Sequence, residues 1–220
     1  MTALISFKGF KDQYFFNKYK FEISSILKGD KIRMFSSGFL HVDKNHLILN
    51  LFTLYIFSGQ VIAQVGSLNY LIIYIFSLYV GNYFTLQFHN KEPFYSAVGA
   101  SGAVTGIVYS SIILFPEMKL IMLFLPIPLP AYVFGICYLL YSIYGMNKNL
   151  GNIGHTAHFG GAIAGLLVTI LIKPQIIDEN LWVIILMMFP LLFFIINSKK
   201  RMLCAPPAPP EGLYLKKVFY

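Results

Sequence analysis

Ser101 stands in Gly99-Ala100-Ser101-Gly102-Ala103-Val104-Thr105-Gly106, where a polar loop (89–96) runs into an apolar stretch (98–115). Two chemistries fit a serine in that setting. Gly102 and Gly106 form a small-xxx-small pair that lets another helix approach closely, so the motif can serve packing. Alternatively Ser101 is a nucleophile, held within reach of a base on a neighbouring helix. The second reading needs a base, a site for a developing oxyanion and a path for water. Candidates exist: four of the five histidines (His41, His46, His155 and His158) fall at the starts of two other apolar stretches. His46 and Asn50, four residues apart, project from one face of a helix. His158, Gly161 and Gly165 share one face of another, and Gly161 and Gly165 are a second small-xxx-small pair.

The elements that must position these residues read as membrane spans. The 220-residue chain is 57% hydrophobic and only 12% charged, with a mean hydropathy of +0.66. Soluble domains carry roughly 25% charged residues. The composition therefore predicts an all-α, polytopic membrane helix bundle. The net charge of +8 fits basic residues flanking spans and meeting anionic headgroups, and no nucleic-acid partner is implied. Cys137 and Cys204 form no metal or redox spacing. Residues 1–10 do not read as a cleavable signal peptide.

Along the chain, residues 1–45 mix lysines with aromatics and contain no window of about 20 apolar residues. They read as an interfacial segment or a solvated loop, with 1–5 as the remnant of a span. Spans follow at about 46–64, 69–88, 98–115, 131–144 and 155–172, a catalytic-type core over 46–172. Pro126, Pro128 and Pro130 cannot sit in a helix interior, so 116–130 is a tight connector. Residues 181–197, broken by Pro190, are an additional C-terminal span, and 198–220 form a Pro-rich tail.

Counting spans brings the candidates together. The first, third and fifth run in the same direction, so His46, Asn50, Ser101, His155 and His158 start on one side of the membrane at one depth. The two glycine faces can then pack, bringing Ser101 and His158 within hydrogen-bond reach. Packing and nucleophile readings thus become compatible. All nine acids lie outside these spans. That excludes an intramembrane aspartyl protease, argues against a cation-coupled transporter, and leaves no acid to complete a Ser-His-Asp triad.

Gly99-Ala100-Ser101-Gly102, with His158-Phe159-Gly160-Gly161 and Gly165 two spans later and His41, His46 and Asn50 upstream, resembles the rhomboid family of intramembrane serine proteases. The resemblance runs from about Arg33 to Ile172, and the Pro-Ile-Pro-Leu-Pro run before the fourth span is similar to bacterial members. It implies that Ser101 is the nucleophile and His158 its general base. It implies that Asn50 and His46, with the backbone N–H of Ser101, meet the oxyanion, and that Gly99, Gly102, Gly106, Gly161 and Gly165 support packing. It also implies a family first span that is largely missing here. Arg33 matches the arginine of a Trp-Arg pair, with Ile32 in place of the tryptophan, and Thr105 stands where the family usually has an aromatic.

The expected function is an intramembrane serine endopeptidase of a bacterial plasma membrane. It would cleave transmembrane segments of other membrane proteins and need no cofactor or metal. The alternative is a catalytically weak or inactive rhomboid-like protein that binds or chaperones membrane clients. A further rival is a zinc or iron site built from His41, His46, His155 and His158. Against it stand the absence of a carboxylate at that depth and of an HExxH pattern.

Overall fold

The computed structural model describes residues 1–122, 125–148 and 154–203. Its first 45 residues form short helices rather than a loop: α1 (Thr2–Lys11), α2 (Gln13–Tyr19), α3 (Ile23–Leu27) and α4 (Arg33–Ser36), followed by a 3-10 turn at Ser37–Phe39. Asp12 caps α2, accepting the Phe15 N–H at 2.9 Å. Residues 1–5, expected as the remnant of a span, open the ten-residue α1. Its Ser6 and Gly9 are buried. Arg33 ties this region together, donating to Asp30 Oδ2 at 2.7 Å and to the carbonyls of Asn17 and Lys20, each at 2.9 Å.

Two 22-residue helices follow, α5 (Lys44–Val65) and α6 (Ser67–Phe88), separated by Gly66 at φ +81°. Asp43 caps α5 by accepting the His46 N–H at 2.8 Å. Much of α5 faces outward through apolar side chains such as Ile48, Phe52 and Tyr55, the pattern of a lipid-facing surface.

Helix α7 (Ser101–Leu114) is the centre of the bundle: twelve of its fourteen residues are buried. Its neighbours are α5, α6 and α9 (His155–Ile172). Helix α8 (Ala131–Lys148) closes the opposite flank. The last helix, α10 (Ile176–Leu203), bends at Asn180, whose amide donates to the Ile113 carbonyl of α7 at 3.0 Å, and tolerates Pro190 in its interior. It begins five residues earlier than the expected 181–197, taking Asp178 and Glu179 into its first turn, where the helix dipole favours acids. Among the described residues four helices are long and apolar enough to cross a membrane: α5, α6, α9 and the part of α10 from Ile176 to Phe194. The chain is thus a helical bundle of multi-pass membrane type. The expected tail at 204–220 lies outside the described residues.

The connector before α8 differs from its expectation. It is an antiparallel hairpin, β3 (Lys119–Met122) with β4 (Leu125–Pro130), paired Lys119↔Pro130 and Leu120↔Leu129. Prolines at alternate positions of a strand put their imide nitrogens along one edge, and a two-stranded ribbon has an edge that needs no donor. A smaller ribbon matters more for the site. β1 (Phe21–Glu22) pairs with β2 (Ser96–Ala97), fastening the N-terminal region to the loop that leads into Ser101.

Candidate active site

The site starts from a short helix. Fourteen residues rise about 21 Å, less than the roughly 30 Å of a bilayer's hydrocarbon core. Helix α7 therefore cannot reach both surfaces, and a loop leads into its start at Ser101. That loop is held at successive residues. Ile23 N–H donates to the Tyr95 carbonyl at 3.2 Å and Gly99 N–H to the Ser37 carbonyl at 3.0 Å. Ala100 N–H donates to His41 Nε2 at 3.4 Å.

His41 reads as a structural histidine. Ser6 Oγ donates its hydrogen to the Phe39 carbonyl at 2.9 Å and so accepts from His41 Nδ1 at 2.9 Å. His41 is then the Nδ1–H tautomer, with Nε2 free to accept from Ala100. Burial pushes its pKa down to about 4, the neighbouring His46 ring adds to this, and Asp43 opposes it. The His41 and His46 rings meet edge to face at 4.8 Å.

Gly99 has a role of its own. Its φ is +134°, a conformation L-residues rarely adopt, and a methyl group there would meet the His46 ring. It supports the turn beneath His46 rather than helix packing. The other four glycines do pack α7 against its neighbours. A methyl on Gly161 would land on the Gly102 carbonyl oxygen, and one on Gly165 on the Gly106 carbonyl oxygen. A methyl on Gly106 would land on the Ser77 hydroxyl of α6, and one on Gly102 would come within 3.2 Å of the Ala157 carbonyl oxygen. Hydrogen bonds lace the α7–α9 contact: Thr169 Oγ1 is 2.7 Å from Ser110 Oγ, which in turn donates toward the Gly106 and Gly165 carbonyls. Bonds of this kind inside a membrane contribute about 0.6 kcal/mol each.

One cavity of about 1060 Å³ collects the candidates: His46, Asn50, Ser101 and His158 all line it. Its walls include Leu49 and Thr53 of α5, Val104 and Thr105 of α7, and Phe134, Tyr138 and Tyr141 of α8. Asn50 is buried and its amide donates one hydrogen to the His46 carbonyl at 2.8 Å, which fixes its orientation and leaves the second N–H. Ser101 and His158 share the cavity but are not hydrogen-bonded to each other as their side chains stand; the partner of His158 Nδ1 is the Tyr138 hydroxyl, at 2.8 Å. Catalytic hydrogen bonds are often long before substrate arrives.

His155 lies apart from the others. It is buried against α8, where a methyl on Gly145 would strike its ring and Tyr141 meets it edge to face at 5.1 Å. Among the described residues no three His, Cys, Asp or Glu side chains come together as a metal-ligand set.

Sequence reasoning missed Tyr138 and Ser6. Ser6 carries no signal at all. Tyr138, Tyr141 and Tyr144 recur every third residue, a stripe on one helical face that points to a polar lining on α8.

The architecture and the cavity define a class first: a multi-pass helical membrane protein with a serine and a histidine lining one cavity. The Rhomboid domain family model matches residues 28–175, and the chain belongs to the rhomboid family. Similar curated proteins include Rhomboid protein 1, mitochondrial, of Saccharomyces cerevisiae, 28% identical over 140 residues, which is 62% of this chain and 40% of that protein. RHOMBOID-like protein 12, mitochondrial, of Arabidopsis thaliana is 27% identical over 175 residues, 73% of this chain and 52% of that protein. Presenilin-associated rhomboid-like protein, mitochondrial, of Homo sapiens is 26% identical over 139 residues, 60% of this chain and 36% of that protein. The chain thus spans about half the length, or less, of these curated relatives.

Proposed function

We propose that this protein is an intramembrane serine endopeptidase that cleaves transmembrane segments of other membrane proteins. The observation that carries the reading is the single cavity lined by Ser101, His158, Asn50 and His46, with Ser101 at the start of a helix too short to cross the bilayer. In this reading the Ser101 Oγ–C bond forms as its proton passes to His158 Nε2. The oxygen of the attacked carbonyl gains charge and is met by the second Asn50 N–H, by His46 and by the first backbone N–H of α7. That last group has no acceptor within its own helix. His158 then gives its proton to the leaving amine. Water attacks the acyl-enzyme as His158 takes its proton; the Ser101 Oγ–C bond then breaks, and His158 returns the proton to Ser101 Oγ.

A helical substrate has its backbone groups already paired, so the expected substrates carry small or helix-breaking residues near the membrane surface. The relatives named above are mitochondrial, so a mitochondrial membrane stands beside the bacterial plasma membrane as the compartment proposed for this chain.

A second reading, client binding without cleavage, draws on one observation: Ser101 and His158 are not hydrogen-bonded as they stand. An active-site-directed fluorophosphonate separates the two. Labelling of the liposome-reconstituted protein, lost in both Ser101→Ala and His158→Ala, is the expected result. Full labelling or full cleavage in Ser101→Ala overturns the assignment, and client capture without labelling favours the second reading.

A further inference from the structure

The partner of His158 is a phenol, and the direction of that hydrogen bond decides whether the histidine can act as a base. A neutral imidazole carries one N–H and one lone pair. To accept a proton from Ser101 it must hold its lone pair on Nε2 and its hydrogen on Nδ1. The Tyr138 hydroxyl lies 2.8 Å from Nδ1, and the two rings run near parallel, 29° between planes with centroids 6.0 Å apart. A phenol alone leaves the matter undecided, since it can donate or accept.

The base role decides it. With the lone pair on Nε2 kept for the Ser101 proton, the hydrogen sits on Nδ1 and the Tyr138 oxygen accepts it.

We propose that Tyr138 is a positioning residue of the Ser101–His158 dyad: its hydroxyl accepts from His158 Nδ1–H, which holds the ring and keeps the Nε2 lone pair for the Ser101 proton. The proposal rests on reading Ser101 and His158 as nucleophile and base. Tyr138 fills the place that an acid holds in a triad, where the orienting group fixes the tautomer and supports the imidazolium. When Nε2 gains the serine proton, Nδ1–H still donates to Tyr138, so the same bond serves both charge states.

The test uses the full chain in liposomes, with the labelling rate by a fluorophosphonate probe and the steady-state cleavage of a transmembrane peptide as readouts. Tyr138→Phe keeps the ring and removes the hydroxyl. It is expected to slow labelling and lower kcat about tenfold, the effect of one ordinary hydrogen bond, with KM and melting temperature unchanged. Wild-type rates in Tyr138→Phe, or a loss confined to KM or to melting temperature, would show a packing role and overturn the proposal. A wild-type chain that never labels at Ser101 sinks the protease reading and this inference with it. A wild type that labels beside an equally fast Tyr138→Phe sinks this inference alone.

Discussion

Gly161 of α9 lies so close to Gly102 of α7 that a single methyl group on it would land on the Gly102 carbonyl oxygen. The obstacle is backbone, which cannot rotate aside as a side-chain tip can. Three residues away on the same helix is His158, and one residue before Gly102 is Ser101. The distance between the candidate base and the candidate nucleophile is therefore set by two hydrogen atoms where other residues carry side chains.

Gly161→Ala is expected to push α7 and α9 apart and to destabilise the bundle by about 1–3 kcal/mol, the usual range for overpacking. Fluorophosphonate labelling should fall more than the melting temperature does, because the same displacement widens the gap from Ser101 to His158. Unchanged labelling in a folded Gly161→Ala protein would show that the close approach is not needed.

Gly99→Ala addresses the turn rather than the helix contact. At φ +134° an alanine is strained by about 1–3 kcal/mol, and its methyl group also meets the His46 ring. Loss of labelling with helix content retained by circular dichroism is the expected outcome. Loss of both together would instead make Gly99 a general folding requirement.

Asn50→Ala removes a cavity-lining donor whose orientation is already fixed by its bond to the His46 carbonyl. In the proposed reaction that donor acts on charge that exists only in the transition state. Losing one such donor typically lowers kcat by about 10²–10³, and KM should hardly change. A rise in KM at constant kcat would point to substrate binding instead.

His41 makes stability depend on pH. Its unfolded pKa is about 6.5, and burial lowers the folded value to about 4. Above 6.5 both states are neutral and the stabilisation is complete. Between 6.5 and 4 the opened chain binds a proton that the native chain refuses, so stability falls as pH falls. Protonation would also take the Nε2 lone pair that receives Ala100 N–H. The melting temperature of the wild type should drop across that window, and that of His41→Gln should drop less. Parallel curves for the two proteins would remove His41 from this role.

By itself the sequence determined the membrane class, the order and direction of the spans, and the small-residue faces on α7 and α9. Hydrophobic runs of span length and glycine spacing are local properties, and they survive without knowing what packs on what. From span counting it also assigned Ser101, His158, His46 and Asn50 to one side of the membrane.

Three matters were decided only in the tertiary structure. The hairpin at β3–β4 depends on pairing between strands, whereas alternate prolines merely forbid a helix. The short helices of the first 45 residues take their meaning from long-range bonds, such as Phe21 pairing with Ala97 and Ser6 with His41, which no local pattern announces. The third is the partner of His158. Tyr138 sits twenty residues away on a different helix, its hydroxyl 2.8 Å from His158 Nδ1. A tautomer depends on what the second ring nitrogen meets, and only packed helices bring that partner within reach.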